Sequence, residues 1–162
     1  MKILKIEFFL AVISLALLFT SCTWNVEENP VPSTETTVWS GPKITFEKTN
    51  GADPTLAENQ DRITDLVWLT RGNDGGQLFN AASEANSTKA TSPSGTRWAK
   101  GTTESIDNLI FDSFRAAIGQ PKNAIGQDLV LLLVEENIAI DIKLTKWVGN
   151  QQGGFAYERS SP

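Results

Sequence analysis

The chain has 162 residues, a net charge of −5 and a pI near 4.8, with no basic cluster, so nucleic acid is not an expected partner. It contains no histidine, which excludes a Ser-His or Cys-His nucleophile and a histidine-ligated zinc site and leaves carboxylate, Lys or Tyr chemistry. Its single cysteine, Cys22, cannot form a disulfide within the chain, so stability has to come from packing.

Lys2 and Lys5 precede an apolar run from Phe8 to Phe19, shorter than the roughly 20 residues that span a bilayer, and the pattern reads as a secretion signal over 1–21. Leu18-Phe19-Thr20-Ser21-Cys22 resembles the lipobox of bacterial lipoproteins, although Phe19 stands where leucine is usual. The resemblance implies acylation of Cys22, palmitate included, and a lipid-anchored protein of the cell envelope, at the outer membrane or cell surface. The alternative is an ordinary secreted protein cut near Ser21. Residues 22–38 are rich in Pro, Glu, Ser and Thr and read as a flexible acidic tether, which at about 3.3 Å per residue reaches roughly 50 Å. Glu27 and Glu28 are similar to the acidic export signal of some gram-negative lipoproteins, and equally to any solvated tether.

Residues 39–162 are punctuated as an all-β domain: a single antiparallel β-sandwich or jelly-roll-like fold with one short helix. Ile44 and Phe46 alternate with Thr45 and Glu47 in a first strand, and a turn-rich loop runs from Thr49 to Gln60. Arg62 to Arg71 reads as one strand covered on both faces, with Ile63, Val67 and Leu69 on one side and Leu66 and Trp68 on the other. Gly72 to Gly76 is a turn and Leu78-Phe79 a short strand. Asn80 to Gly95 is polar, either a long loop or a short helix over 81–86. Thr96 to Ala99 reads as a strand around Trp98. Asn108 to Phe111 reads as a strand leading into a helix that carries Phe114, Ala117 and Ile118.

Asp128 to Trp147 forms the central hairpin. Leu129 to Val134 is an apolar run, and Ile138, Ile140, Ile142 and Leu144 alternate with Ala139, Asp141, Lys143 and Thr145. A three-residue loop over Glu135, Glu136 and Asn137 pairs Val134 with Ile138, Leu132 with Ile140 and Val130 with Ile142. It leaves Leu129, Leu131 and Leu133 opposite the polar row, covered by Phe114 and Ile118 or open to a partner. A loop over 149–154 leads to a last strand, Phe155 to Arg159.

Several segments together resemble an uncharacterised family of bacterial secreted and lipoprotein β-domains. They are Trp39-Ser40-Gly41-Pro42 with Ile44-Thr45-Phe46; Asp61-Arg62-Ile63-Thr64-Asp65 with Leu69-Thr70-Arg71-Gly72; Gly95-Thr96-Arg97-Trp98-Ala99-Lys100-Gly101; Ile140-Asp141-Ile142-Lys143 with Trp147; and Gly153-Gly154-Phe155-Ala156-Tyr157-Glu158-Arg159-Ser160. The resemblance implies an envelope location and β structure, and carries no activity, substrate or catalytic residue.

Five tryptophans in a short β-domain suggest an aromatic platform for a glycan, with Trp39, Trp98 and Trp147 as candidates and Trp68 assigned to the core. Alternation places Trp147 on the polar side of its strand, unless a bulge at Lys146 turns it inward. Asp53, Glu58, Asn59 and Asp61 supply hard oxygens for calcium, or are ordinary turn formers. Glu135 and Glu136 sit side by side at a hairpin tip, unlike a glycosidase pair facing across a cleft, so no catalytic residues and no enzymatic activity are expected. The expected function is a non-catalytic binding module for a glycan or another envelope component; the alternative is a structural or adhesion protein that assembles with envelope proteins.

Overall fold

The computed structural model describes residues 35–162. The expected signal peptide, Cys22 as the expected lipidation site, and most of the expected tether lie outside the described residues. The domain contains strands β1 (Thr37–Trp39), β2 (Lys43–Lys48), β3 (Asp61–Arg62), β4 (Trp68–Arg71), β5 (Leu78–Asn80), β6 (Thr96–Lys100), β7 (Leu129–Leu133), β8 (Ile138–Trp147) and β9 (Phe155–Ser160), with one helix, α1 (Phe114–Ile118). Thr37 and Val38, expected in the tether, are already strand.

The large sheet has the order β2-β9-β8-β7-β6, antiparallel throughout, and the small sheet the order β3-β4-β5. β1 runs parallel to the start of β8, pairing with Ile138 to Ile140, whereas β9 pairs with Ile142 to Trp147 further along. The chain then passes the end of β9, where the Gly41 amide donates to the Ser161 carbonyl at 2.9 Å, and β2 pairs on the far side of β9. A side chain at Gly41 would overlap the Pro162 carbonyl oxygen. The two sheets enclose one apolar core: Ile63, Val67, Leu69 and Leu78 from the small-sheet region meet Leu129, Leu131, Leu133, Ile140, Ile142, Leu144, Phe155 and Tyr157 from the large one. This is an all-β sandwich with one short helix, the class that the strand pattern predicts.

The central hairpin forms one residue out of the expected register. Leu133 pairs with Ile138, Leu131 with Ile140 and Leu129 with Ile142. The loop has four residues, because the Val134 amide donates to the Gly95 carbonyl at 2.9 Å instead of joining the β7–β8 ladder, and Asn137 closes the turn at φ 51. A one-residue slip exchanges the faces of a strand. The leucine row therefore lies in the core, in one cluster with Phe114 and Ile118, and Val134 is 47% exposed.

Residues 62–71 are a hairpin rather than a single strand. The Thr64 hydroxyl accepts from the Leu66 and Val67 amides, each at 3.2 Å, and the Ile63 amide donates to the Val67 carbonyl, which turns the chain between β3 and β4. Leu66 is exposed as a result, and Trp68 is half-buried under the Arg62 guanidinium, 4.1 Å from the ring, rather than in the core. Residues 81–95 form no helix. Buried Asn80 and the Glu84 carboxylate hold this segment: Asn80 donates to the Leu66 and Ser94 carbonyls and accepts from the Trp68 and Ala82 amides, and Glu84 accepts from the Asn80 and Ser94 amides. Ahead of α1 the expected strand is replaced by a 3-10 turn over Thr103–Asn108 and a single bridge between Asp112 and Trp98.

The register has a direct test in urea unfolding. Leu131→Ala is expected to cost about 2–5 kcal/mol as a buried Leu-to-Ala truncation, and Val134→Ala to stay within about 0.5 kcal/mol as a surface change. A large cost at Val134 would restore the three-residue turn.

Candidate functional site

At the end of the sandwich where β4 meets the β8–β9 loop, the backbone of that loop is held from beneath by buried cations. β8 carries a bulge between Leu144 and Lys146, which turns Trp147 off the polar side toward the core face. Its indole packs at 6.2 Å from the Phe114 ring and 6.3 Å from Phe155, and stays half-buried. The Arg71 guanidinium lies 4.0 Å over the indole, a cation–π contact. From β4, Arg71 donates through Nε to the Gly76 carbonyl at 2.9 Å and through Nη1 to the Val148 and Gly154 carbonyls at 2.7 and 3.1 Å. Burial pushes its pKa down to about 10, with Asp74 acting in the opposite direction, and it remains a cation at neutral pH.

Lys48, at the end of β2, is the second cation. It is fully buried and donates to Asn73 Oδ1 at 2.9 Å and to the Gly153 carbonyl at 3.4 Å. Burial, and then the charge of Arg71, lower its pKa, while Asp53 raises it. Asn73 in turn donates to the Ala52 carbonyl at 3.0 Å. The backbone at Gly153 has φ 66, and a Cβ there would overlap Asn73 Oδ1 and the Gly72 carbonyl, so the three loops approach at a distance that only glycine permits.

The surface above this packing is a groove of about 220 Å³ lined by Arg71, Arg115, Gln120, Lys122, Trp147 and Asn150, among others. Arg115 projects from α1 and Lys122 from a 3-10 turn over Pro121–Asn123, and both are exposed. Among the described residues the ion pairs are Lys143–Asp128, Lys146–Glu47 and Arg159–Asp61, so Arg115 and Lys122 are paired with no carboxylate. Two larger depressions, of about 480 and 380 Å³, combine apolar side chains such as Val38, Phe111 and Ile110 with the carboxylates Glu35, Asp107 and Asp112, and lack a comparable set of cations.

The three candidate tryptophans do not form one platform. Trp98 is fully buried, edge-on to Phe114 at 4.8 Å, and its indole donates to the Thr96 hydroxyl at 3.1 Å. That burial removes it from any surface site. Trp39 ends β1 opposite Ile140, half-buried against the core, and does not line the groove. Trp147 alone of the three does.

Nor do the four oxygen donors converge as a calcium ligand set. Asp53 Oδ1 accepts from the amide and hydroxyl of Thr55 in a turn, bonds that hold its pKa down, and its carbonyl accepts from the Asn59 side chain at 2.8 Å. Glu58 is exposed. Asp61 is buried and engaged on both oxygens: Arg159 donates through Nε to Oδ2 at 2.7 Å and through Nη2 to Oδ1 at 2.9 Å, and the Tyr157 hydroxyl donates to Oδ2 at 2.6 Å. Among the described residues no group of three or more acidic or cysteine side chains is placed to hold a metal.

The buried cations and the Asp61 cluster escaped the sequence reading, because Lys48, Arg71 and Arg159 each stand in a strand where alternation marks a face but not a charge partner. The phase of Lys48 with Phe46 was the available signal. Compared with family models, curated proteins and solved structures, the chain matches none at a significant level.

The chain's one tyrosine offers a pH test. Burial, then the neighbouring Asp61 carboxylate, raise the pKa of Tyr157 well above its ordinary value near 10. Because the folded value lies above the unfolded one, the stability it contributes is complete below about pH 10 and is lost as pH rises beyond it. The ultraviolet phenolate band is expected to appear only together with unfolding. A band that titrates near pH 10 in the folded protein would contradict the buried cluster.

Proposed function

We propose that the protein is a non-catalytic binding module of the cell envelope, anchored through lipid on Cys22 and contacting a glycan or another envelope component through the groove at Trp147. The observation that carries this reading is the groove itself: one tryptophan, fixed by Arg71 over its face and by Phe114 and Phe155 beside it, opens to the surface with the unpaired cations Arg115 and Lys122 and the amides Gln120 and Asn150. Few convergent polar groups around an immobilised aromatic suit recognition, since little conformational freedom is lost on binding. The lipobox-like segment and acidic tether support the location.

A second reading, assembly with other envelope proteins by strand addition, is favoured by β2. It pairs only with β9, and Lys43, Ile44, Thr45 and Glu47 are exposed along it, so its outer edge offers unpaired backbone groups.

The test is retention of the purified protein in native gels cast with envelope polysaccharides. Trp147→Phe, which keeps an aromatic ring against Phe114 and Phe155, is expected to weaken retention by roughly three- to tenfold, the range of an aromatic contact. Trp98→Phe should leave it unchanged. No retention in any gel, with a cross-linked larger complex on intact cells, would favour the β2 edge instead.

A further inference from the structure

Resting on that reading, we propose that the ligand is an anionic glycan, whose carboxylate or sulfate groups are held by Arg115 and Lys122 at the rim of the Trp147 groove and by the free end of the Arg71 guanidinium. Three observations point to charge as the recognised feature. The first is the concentration of cations. In a chain of net charge −5, Arg71, Arg115 and Lys122 line one groove that has no carboxylate among its lining residues. Asp74 acts on Arg71 from outside the groove, with its Oδ1 accepting from the Gly76 amide at 3.0 Å.

The second is the state of Arg71. Its Nε and Nη1 are used on backbone carbonyls, whereas Nη2 makes no hydrogen bond among the described residues and is not one of the buried unpaired atoms. The residue as a whole is 2% exposed, so Nη2 is one largely desolvated donor left for an oxyanion that enters the groove. The third is the state of the indole. Arg71 covers one face and the rings of Phe114 and Phe155 lie beside it at a tilt, so at most one face of Trp147 is left for a sugar and the other is taken by a cation. The indole thus anchors the cation, while Gln120 and Asn150 supply amides for sugar hydroxyls. Overall negative charge opposes adventitious binding to polyanions, so retention by one has to come from this local cluster.

Dextran, dextran sulfate and polygalacturonate separate charge from sugar. The protein is expected to be retained in native gels by at least one of the two acidic polymers and not by dextran, with retention weakened by salt. The double variant Arg115→Glu/Lys122→Glu changes two exposed side chains that make no ion pair, so its urea midpoint should equal that of the parent, and its retention should fall roughly tenfold or more, as for loss of charge-assisted bonds. Equal retention by dextran and dextran sulfate overturns the inference and leaves the binding-module reading intact. Retention by the acidic polymers that survives in the double variant overturns it as well, because the anion is then bound elsewhere. Absence of retention in every gel overturns the inference together with the glycan arm of the binding-module reading.

Discussion

A single buried carboxylate joins the two sheets. Asp61 stands on β3 of the small sheet, and its partners Arg159 and Tyr157 stand on β9 of the large one, with both carboxylate oxygens engaged at 2.6 to 2.9 Å. Apolar packing between Leu69, Leu78 and the leucines of β7 supplies the larger part of the attraction, but such packing is non-directional and tolerates sliding. A buried ion pair contributes little net stability against a hydrophobic replacement, yet any misplacement that separates the pair leaves a desolvated charge, which costs several kcal/mol. Asp61 therefore fixes where the small sheet sits. Among the described residues it is the one carboxylate in the buried set, alongside the cations Lys48, Arg71 and Arg159.

With the small sheet positioned, the end of β4 is positioned too, and the groove follows from that. Arg71 reaches from β4 to the carbonyls on either side of the β8–β9 loop, at Val148 and Gly154, while Lys48 ties the same loop to Asn73 from the end of β2. These two buried cations are hydrogen-bonded to carbonyls and to an amide oxygen and not to a carboxylate, in a molecule that is acidic overall. The β8 bulge brings Trp147 beneath Arg71, and α1 adds Arg115 at the rim. A surface built on strand ends and locked loops is already ordered, so the proposed binding would lose no affinity to ordering it.

Much of the architecture was legible in the chain. Period-two alternation marked β2 and β8, because strand faces impose that spacing wherever one side is buried, the apolar run at 129–134 marked β7, and the turn residues of the 149–154 loop marked the start of β9. What alternation does not encode is the pairing offset. The hairpin register turned on one hydrogen bond, from the Val134 amide to Gly95, thirty-nine residues away and invisible to local pattern. The 62–71 segment differs from its pattern for a related reason: Thr64 folds the chain back with its own hydroxyl, although threonine is a residue that strands favour. The bulge that decides the fate of Trp147 was legible as one of two alternatives. Trp98 was not, since a tryptophan between Arg97 and Lys100 looks exposed until Phe114 and Thr96 are found around it.

The proposed binding surface is the one at Trp147. The most direct measurement is a titration of the isotope-labelled protein with an acidic oligosaccharide, followed through the indole N–H resonances. The Trp147 indole and the backbone amides around Arg115 and Asn150 are expected to shift in step with ligand, while the buried Trp98 indole does not move. Shifts confined to β2, or to residues around Ile110 and Phe111, would contradict this and relocate the site.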